Sequence, residues 1–125
     1  MKAILSIPFL LVVALIVYAE DSFSAFTIWN ALPVAIGFGV LWIGFRSRGA
    51  TAAGCIAFAV TVTVLIALFH LAWLFDWGSI ATSSSTSALA FLFVPIWAIV
   101  FATIIGLVAW GVGRVVLRRS SDTSA

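Results

Sequence analysis

Apolar positions fall into four long runs, and polar positions fill the gaps between them. The runs are Ala3–Ala19, Ile28–Phe45, Ala50–Phe75 and Ala88–Gly113. None alternates with period two over about ten residues, as a barrel strand would, so helices are predicted. At the helical rise the first two runs reach about 25 and 27 Å and the last two about 39 Å, against a hydrocarbon core of about 30 Å. The short pair just spans such a core; the long pair must tilt or protrude. Pro8 inside the first run predicts a bend, and Pro95 should kink the fourth. Pro33 falls early in the second run, where a first-turn proline is tolerated.

Charge gives the runs a direction. Lys2 precedes the first run, Arg46 and Arg48 separate the second from the third, and Arg114, Arg118 and Arg119 follow the fourth. The other two connectors carry Glu20, Asp21 and Asp76 and no basic residue. With four crossings, all six basic residues share one side, which the positive-inside rule makes cytoplasmic. Trp29, Trp73 and Trp77 then fall near the outer boundary and Trp42 and Trp110 near the inner one, as an aromatic belt requires.

The expected fold is therefore an all-α integral membrane protein, a four-transmembrane-helix antiparallel bundle with both termini cytoplasmic. One membrane domain takes in residues 1–125, with a tail over 114–125 whose end, Ser120–Ala125, is short, polar and expected to fray. The expected location is a bacterial inner membrane. Residues 1–19 carry a competing reading as a cleaved signal peptide, with Val17-Tyr18-Ala19 before the cut. Their apolar stretch exceeds the usual 7–15 residues or so, which favours a retained helix.

Composition removes the alternatives. Of the 125 residues 65% are hydrophobic and 8% charged, and the mean hydropathy is +1.31. So few charged side chains cannot clothe a soluble domain, and so apolar a chain is not a disordered one. The pI of about 9.3 does not make a nucleic-acid binder, because six scattered basic residues form no stripe. Cys55, the single cysteine, lies in an apolar run and reads as a small apolar side chain. No cofactor fingerprint or nucleophile motif appears, and no metal site, so neither enzyme nor cofactor is expected.

Two stripes carry more than hydropathy. In the fourth run Ala98, Ala102, Gly106, Ala109 and Gly113 recur at spacings of four, four, three and four. They share one helix face, and small residues let helix backbones approach closely in lipid. Ala31, Ala35 and Gly39 repeat the idea in the second run. In the third run Ala52, Cys55, Ala59, Thr63, Ala67 and His70 form a narrow face of small and polar groups, which points His70 into the bundle.

His70 stands about 9 Å of rise from Asp76, hence near the outer boundary. An ionisable group there is a candidate functional site, although a lone histidine also satisfies itself on a backbone carbonyl. Asp76 and the hydroxyl run Ser83, Ser84, Ser85, Thr86 and Ser87 are the candidate lining of an outward vestibule around it. Ser87 or a neighbour should also cap the fourth helix. His70 is expected to reach that connector or the carbonyl loosened by Pro95. The expected function is helix association, as an accessory subunit or self-associating component of a membrane complex. Its partners would be the bilayer and either copies of itself or another membrane protein. The alternative is a small transporter or channel built on the His70 vestibule.

Overall fold

The computed structural model describes residues 2–21 and 23–123, without the side chains of residues 2, 3 and 123; the last two positions of the expected tail lie outside it. Its regular elements are all helical: α1 (Lys2–Ala19), α2 (Ala25–Arg46), α3 (Gly49–Leu74) and α4 (Ala90–Thr123), with short 3-10 turns at Trp77–Ser79 and Ser87–Leu89. Three helical stretches, Ala25–Arg46, Gly49–Leu74 and Ser87–Asp122, are long and apolar enough to cross a membrane. The chain is a membrane protein. The apolar part of α1, Ile4–Ala19, is shorter.

Local chemistry explains the helix ends. Ser24 caps α2 by accepting the Phe26 amide at 3.2 Å, while the Thr27 hydroxyl accepts the Ser24 amide at 3.0 Å. This reciprocal cap starts α2 three residues earlier than the apolar run, because Ala25, Phe26 and Thr27 now belong to it. Pro33 consequently lies beyond the first turn, inside the helix and buried. α2 passes to α3 in a two-residue turn closed by Gly49 at a φ of 60°, a left-handed value that glycine takes without strain. α1 continues through Pro8. The expected frayed tail is instead helix as far as Thr123, with the hydroxyls of Ser120 and Ser121 bonded back to Val116 and Leu117. The expected side-chain cap at the start of the fourth helix is absent: Thr86 precedes the Ser87 turn without a side-chain cap bond.

The connections are short, and the helices run up and down. Gly37 meets Val62 and Gly44 meets Cys55, so α2 and α3 are antiparallel. Ala50 meets Gly113, Gly54 meets Gly106, and His70 meets Phe91, so α3 and α4 are antiparallel too. Phe9 of α1 packs edge-on to Phe38 of α2, with ring centroids 5.2 Å apart. α3 is the hub and touches all three others, whereas α1 and α4 do not meet among the described residues. The core joins Phe9, Val12 and Ile16 of α1 to Val34 and Leu41 of α2, Ala59, Val62 and Ile66 of α3, and Ala98 and Ala102 of α4. This arrangement gathers Glu20, Asp21 and Asp76 at one end, the acidic end, and the arginines at the other. At the basic end Arg46 sits over Trp42 and Arg114 over Trp110, 5.3 and 4.8 Å from the ring centroids.

The α4 stripe faces α3. A Cβ on Gly106 would stand 3.1 Å from the Gly54 carbonyl oxygen, and one on Gly54 would stand 2.9 Å from that of Gly106. Gly113 rests on Ala50, Ala98 and Ala102 are buried, and Ala109 is half-buried. In α2 the packed face is a different one from that expected. Ala35 and Gly39 are exposed and Ala31 half-buried, while Thr27, Asn30, Val34, Gly37, Leu41 and Gly44 are buried. A run that is apolar all round carries no direction, and the close approaches to α3 fall at Gly37 and Gly44.

Candidate functional site

The acidic end holds a buried polar cluster drawn from three helices. Phe9, Val12 and Ile16 are the buried face of α1, and Glu20 continues it one turn on. The amide of Glu20 still bonds to the Ile16 carbonyl at 3.1 Å, so its side chain keeps the helical direction. Asp21 then turns the chain away at a φ of 51°. The capped start of α2 places Thr27 and Asn30 on one face opposite that carboxylate. The Thr27 hydroxyl donates to one carboxylate oxygen of Glu20 at 2.6 Å, and the Asn30 amide donates to the other at 3.0 Å. The same Asn30 nitrogen donates to the Phe26 carbonyl at 2.9 Å. Only 8% of the Glu20 side chain is exposed, and His70, Asn30 and Thr27 are essentially sealed.

His70 completes the cluster from α3. Its Nδ1 lies 2.8 Å from the Ile66 carbonyl oxygen. A carbonyl can only accept, so Nδ1 carries the hydrogen, and in the neutral ring Nε2 presents a lone pair. That Nε2 has no hydrogen bond and lies 3.7 Å from Oε1 of Glu20. Two lone pairs in that position repel. At 3.7 Å they are too far apart to share a hydrogen bond, and a proton on either partner would make the contact attractive.

Aromatic rings enclose the histidine. Phe69 and Phe91 stand edge-on to it at 5.3 and 5.6 Å, and Trp73 and Phe91 meet at 4.5 Å with their planes 73° apart. Beside the cluster opens a pocket of about 300 Å³ lined by Ala19, Glu20, Ser24, Phe26, Trp73, Ala88 and Phe91. It combines one carboxylate with three aromatic side chains.

The expected vestibule is not assembled. His70 points inward, but its neighbours are Ile66 and Glu20, not the connector that follows α3. Asp76 is engaged within its own loop: the Thr82 hydroxyl donates to it at 2.6 Å and the Ala81 amide at 2.8 Å. Those two bonds hold its carboxyl below the usual carboxylate range. Ser83, Ser84, Ser85 and Thr86 are exposed, and Ser87 is half-buried. Ser84 bonds to Thr86 at 2.7 Å, and the Ser83 and Ser87 amides close local turns on Ser79 and Ser84. One carbonyl in the turn before Pro95, that of Leu92, accepts the Trp29 indole at 3.0 Å. The reason is that α3 ends at Leu74, and Asp76, at a left-handed φ of 48°, has already turned off the helix into its own loop.

Glu20, Thr27 and Asn30 take the place of the loop. A polar pair at i and i+3, Thr27 and Asn30, just after a lone carboxylate was the available signal. Among the described residues no group of three or more metal-ligating side chains gathers. No protein-family model, curated protein or solved structure matches this chain.

Proposed function

We propose that the chain is a small proton-linked transporter, without enzymatic activity, that crosses a bacterial inner membrane four times. Both termini lie in the cytoplasm, and the Glu20–His70 site opens outward. The observation that carries this reading is the buried Glu20–His70 pair itself. A carboxylate withdrawn from water at the end of an apolar bundle costs several kcal/mol, and such groups mark ion and proton routes in membrane proteins. Here it comes with hydrogen-bond donors, a bare imidazole nitrogen and an adjoining pocket. The sidedness follows from the basic residues, all at the opposite end.

Helix association, as an accessory subunit or a self-associating component of a membrane complex, is the lesser reading. It draws on the α4 stripe, and Gly106 and Gly113 of that stripe already lie against α3. The two readings separate in proteoliposomes loaded with a pH-sensitive dye and given an acid pulse. A transporter moves protons faster than empty vesicles do and loses most of that flux in Glu20→Gln and His70→Ala. Flux indifferent to both substitutions, with other membrane proteins copurifying in mild detergent, would reverse the preference.

A further inference from the structure

We infer that the pocket beside Glu20 binds an organic ammonium group, whose charge takes the place of one proton on the Glu20–His70 pair. This rests on the proposed transport reading and names the ligand class for the same site. The pocket wall selects by charge and by surface. Among the described residues Glu20 is its only charged lining residue, so an anion is repelled. Phe26, Trp73 and Phe91 supply aromatic surface, and ring faces attract a cation that carries apolar substituents. A bare metal ion demands a shell of six or so oxygens, which one carboxylate and the Ser24 hydroxyl do not provide. An ammonium with alkyl groups needs few hydrogen bonds and gains from each ring.

The proton balance makes the exchange electroneutral. With one proton on the pair, the site carries no net charge, whichever partner holds it. When the ammonium enters, its single positive charge compensates the Glu20 carboxylate, His70 stays neutral with Nδ1 bonded to Ile66, and the proton leaves to solvent. Other elements do not compete for it. α2 faces the pair with the uncharged Thr27 and Asn30, and α4 with Phe91. Of the other carboxylates at this end, Asp76 is bonded to Thr82 and Ala81, and Asp21 is exposed. The ammonium can belong to a free solute or to a lipid headgroup, because both present the same chemistry at a pocket on the bundle end.

The full chain in phosphatidylglycerol nanodiscs, titrated calorimetrically with choline, tests this. Choline should bind at one site, release close to one proton, and bind about tenfold more tightly for each pH unit over the range where the pair is protonated. Its uncharged isostere 3,3-dimethylbutan-1-ol should bind at least tenfold more weakly. Glu20→Gln should abolish binding and proton release. Trp73→Leu, which leaves the carboxylate in place, should weaken binding severalfold even if Glu20→Gln fails to fold. Trp97→Leu, exposed on α4, should change nothing. Nanodiscs containing phosphatidylcholine should block added choline if the headgroup is the source, and leave it unaffected if a free solute is. Equal binding of the isostere, or binding indifferent to Glu20→Gln, overturns the inference. Absent choline binding with Glu20-dependent proton flux intact would sink the ammonium alone. Glu20-dependent choline binding without any flux would sink the transport reading and leave the site.

Discussion

The two ends of α3 are held to their neighbours by opposite means. Near the basic end Gly54 and Gly106 bring two backbones into direct contact, with no room for a Cβ on either. Near the acidic end Phe69, Trp73 and Phe91 stand between the same two helices, and His70 turns to a carboxylate from α1. In lipid, apolar side chains gain nothing by leaving one apolar medium for another, so close backbone packing supplies the attraction at the first end. The second end is joined by large rings and polar groups instead, and the pocket beside them is the one with a carboxylate in its wall. Packing and site occupy different turns of one helix.

Bulk at the glycine crossing should break this division most severely. Gly106→Leu places a branched chain against the Gly54 backbone, which cannot yield as a side chain can. A loss of about 3 kcal/mol or more is expected, read as a collapse of thermal stability in detergent. Val108→Leu, on the exposed side of the same helix, should be nearly silent. Comparable losses in the two variants would remove the crossing from the account.

At the other end, Asn30→Ala strips one donor from the sealed Glu20 carboxylate. A hydrogen bond to a charged group is worth about 1.5–3 kcal/mol, and that is the expected loss in thermal unfolding. Near-zero cost would mean that the carboxylate is not held as described.

A smaller and sharper contrast lies within α2. A Cβ on Gly37 would come within 2.6 Å of Val62, whereas one on Gly39 meets nothing. Gly39→Ala should stabilise by up to about 1 kcal/mol through helix propensity alone. Gly37→Ala should destabilise by about 1 kcal/mol, because Val62 is buried and must shift. Effects of the same sign would show that α2 packs on the face first expected.

The smallest effect belongs to the loop after α3. The Thr82 and Ala81 bonds favour the ionised Asp76, so its carboxyl lies below the usual range. A group lowered in this way orders its loop above its unfolded-state value and releases it as the pH falls through the folded one. Amide exchange at Ala81 should therefore quicken in strong acid, and in Asp76→Asn at any pH. Helix stability should not move. A global loss of stability in Asp76→Asn would tie this loop to the bundle after all.

How far these features could be read from the chain depends on whether they are local. The helices follow from uninterrupted hydropathy, and the α4 stripe from spacing alone. The packed face of α2 had no such sign, since leucine and phenylalanine surround the helix and lipid accepts whatever the neighbours leave. The polar cluster was missed for another reason. Its geometry depends on Asp21 turning left-handed and Ser24 capping α2, and these two events decide where Glu20 and Asn30 meet. Hydropathy counts Asn30 as a blemish in an apolar run. It does not report that the blemish faces a carboxylate. The helical tail was hidden likewise, because polarity alone does not end a helix that lacks glycine and proline after Gly113.

The position of α1, in contact with α2 and α3 but, among the described residues, not with α4, has a consequence for the order of assembly. Thr27 and Asn30 lie seven and ten residues after Glu20. The Glu20 carboxylate is therefore partnered as soon as α1 and α2 have met, while α3 and α4 are still being synthesised. A hairpin of α1 and α2 can form with its carboxylate already sheltered and wait for the later helices. Only the imidazole arrives late, carried in by the hub around which the rest of the chain assembles.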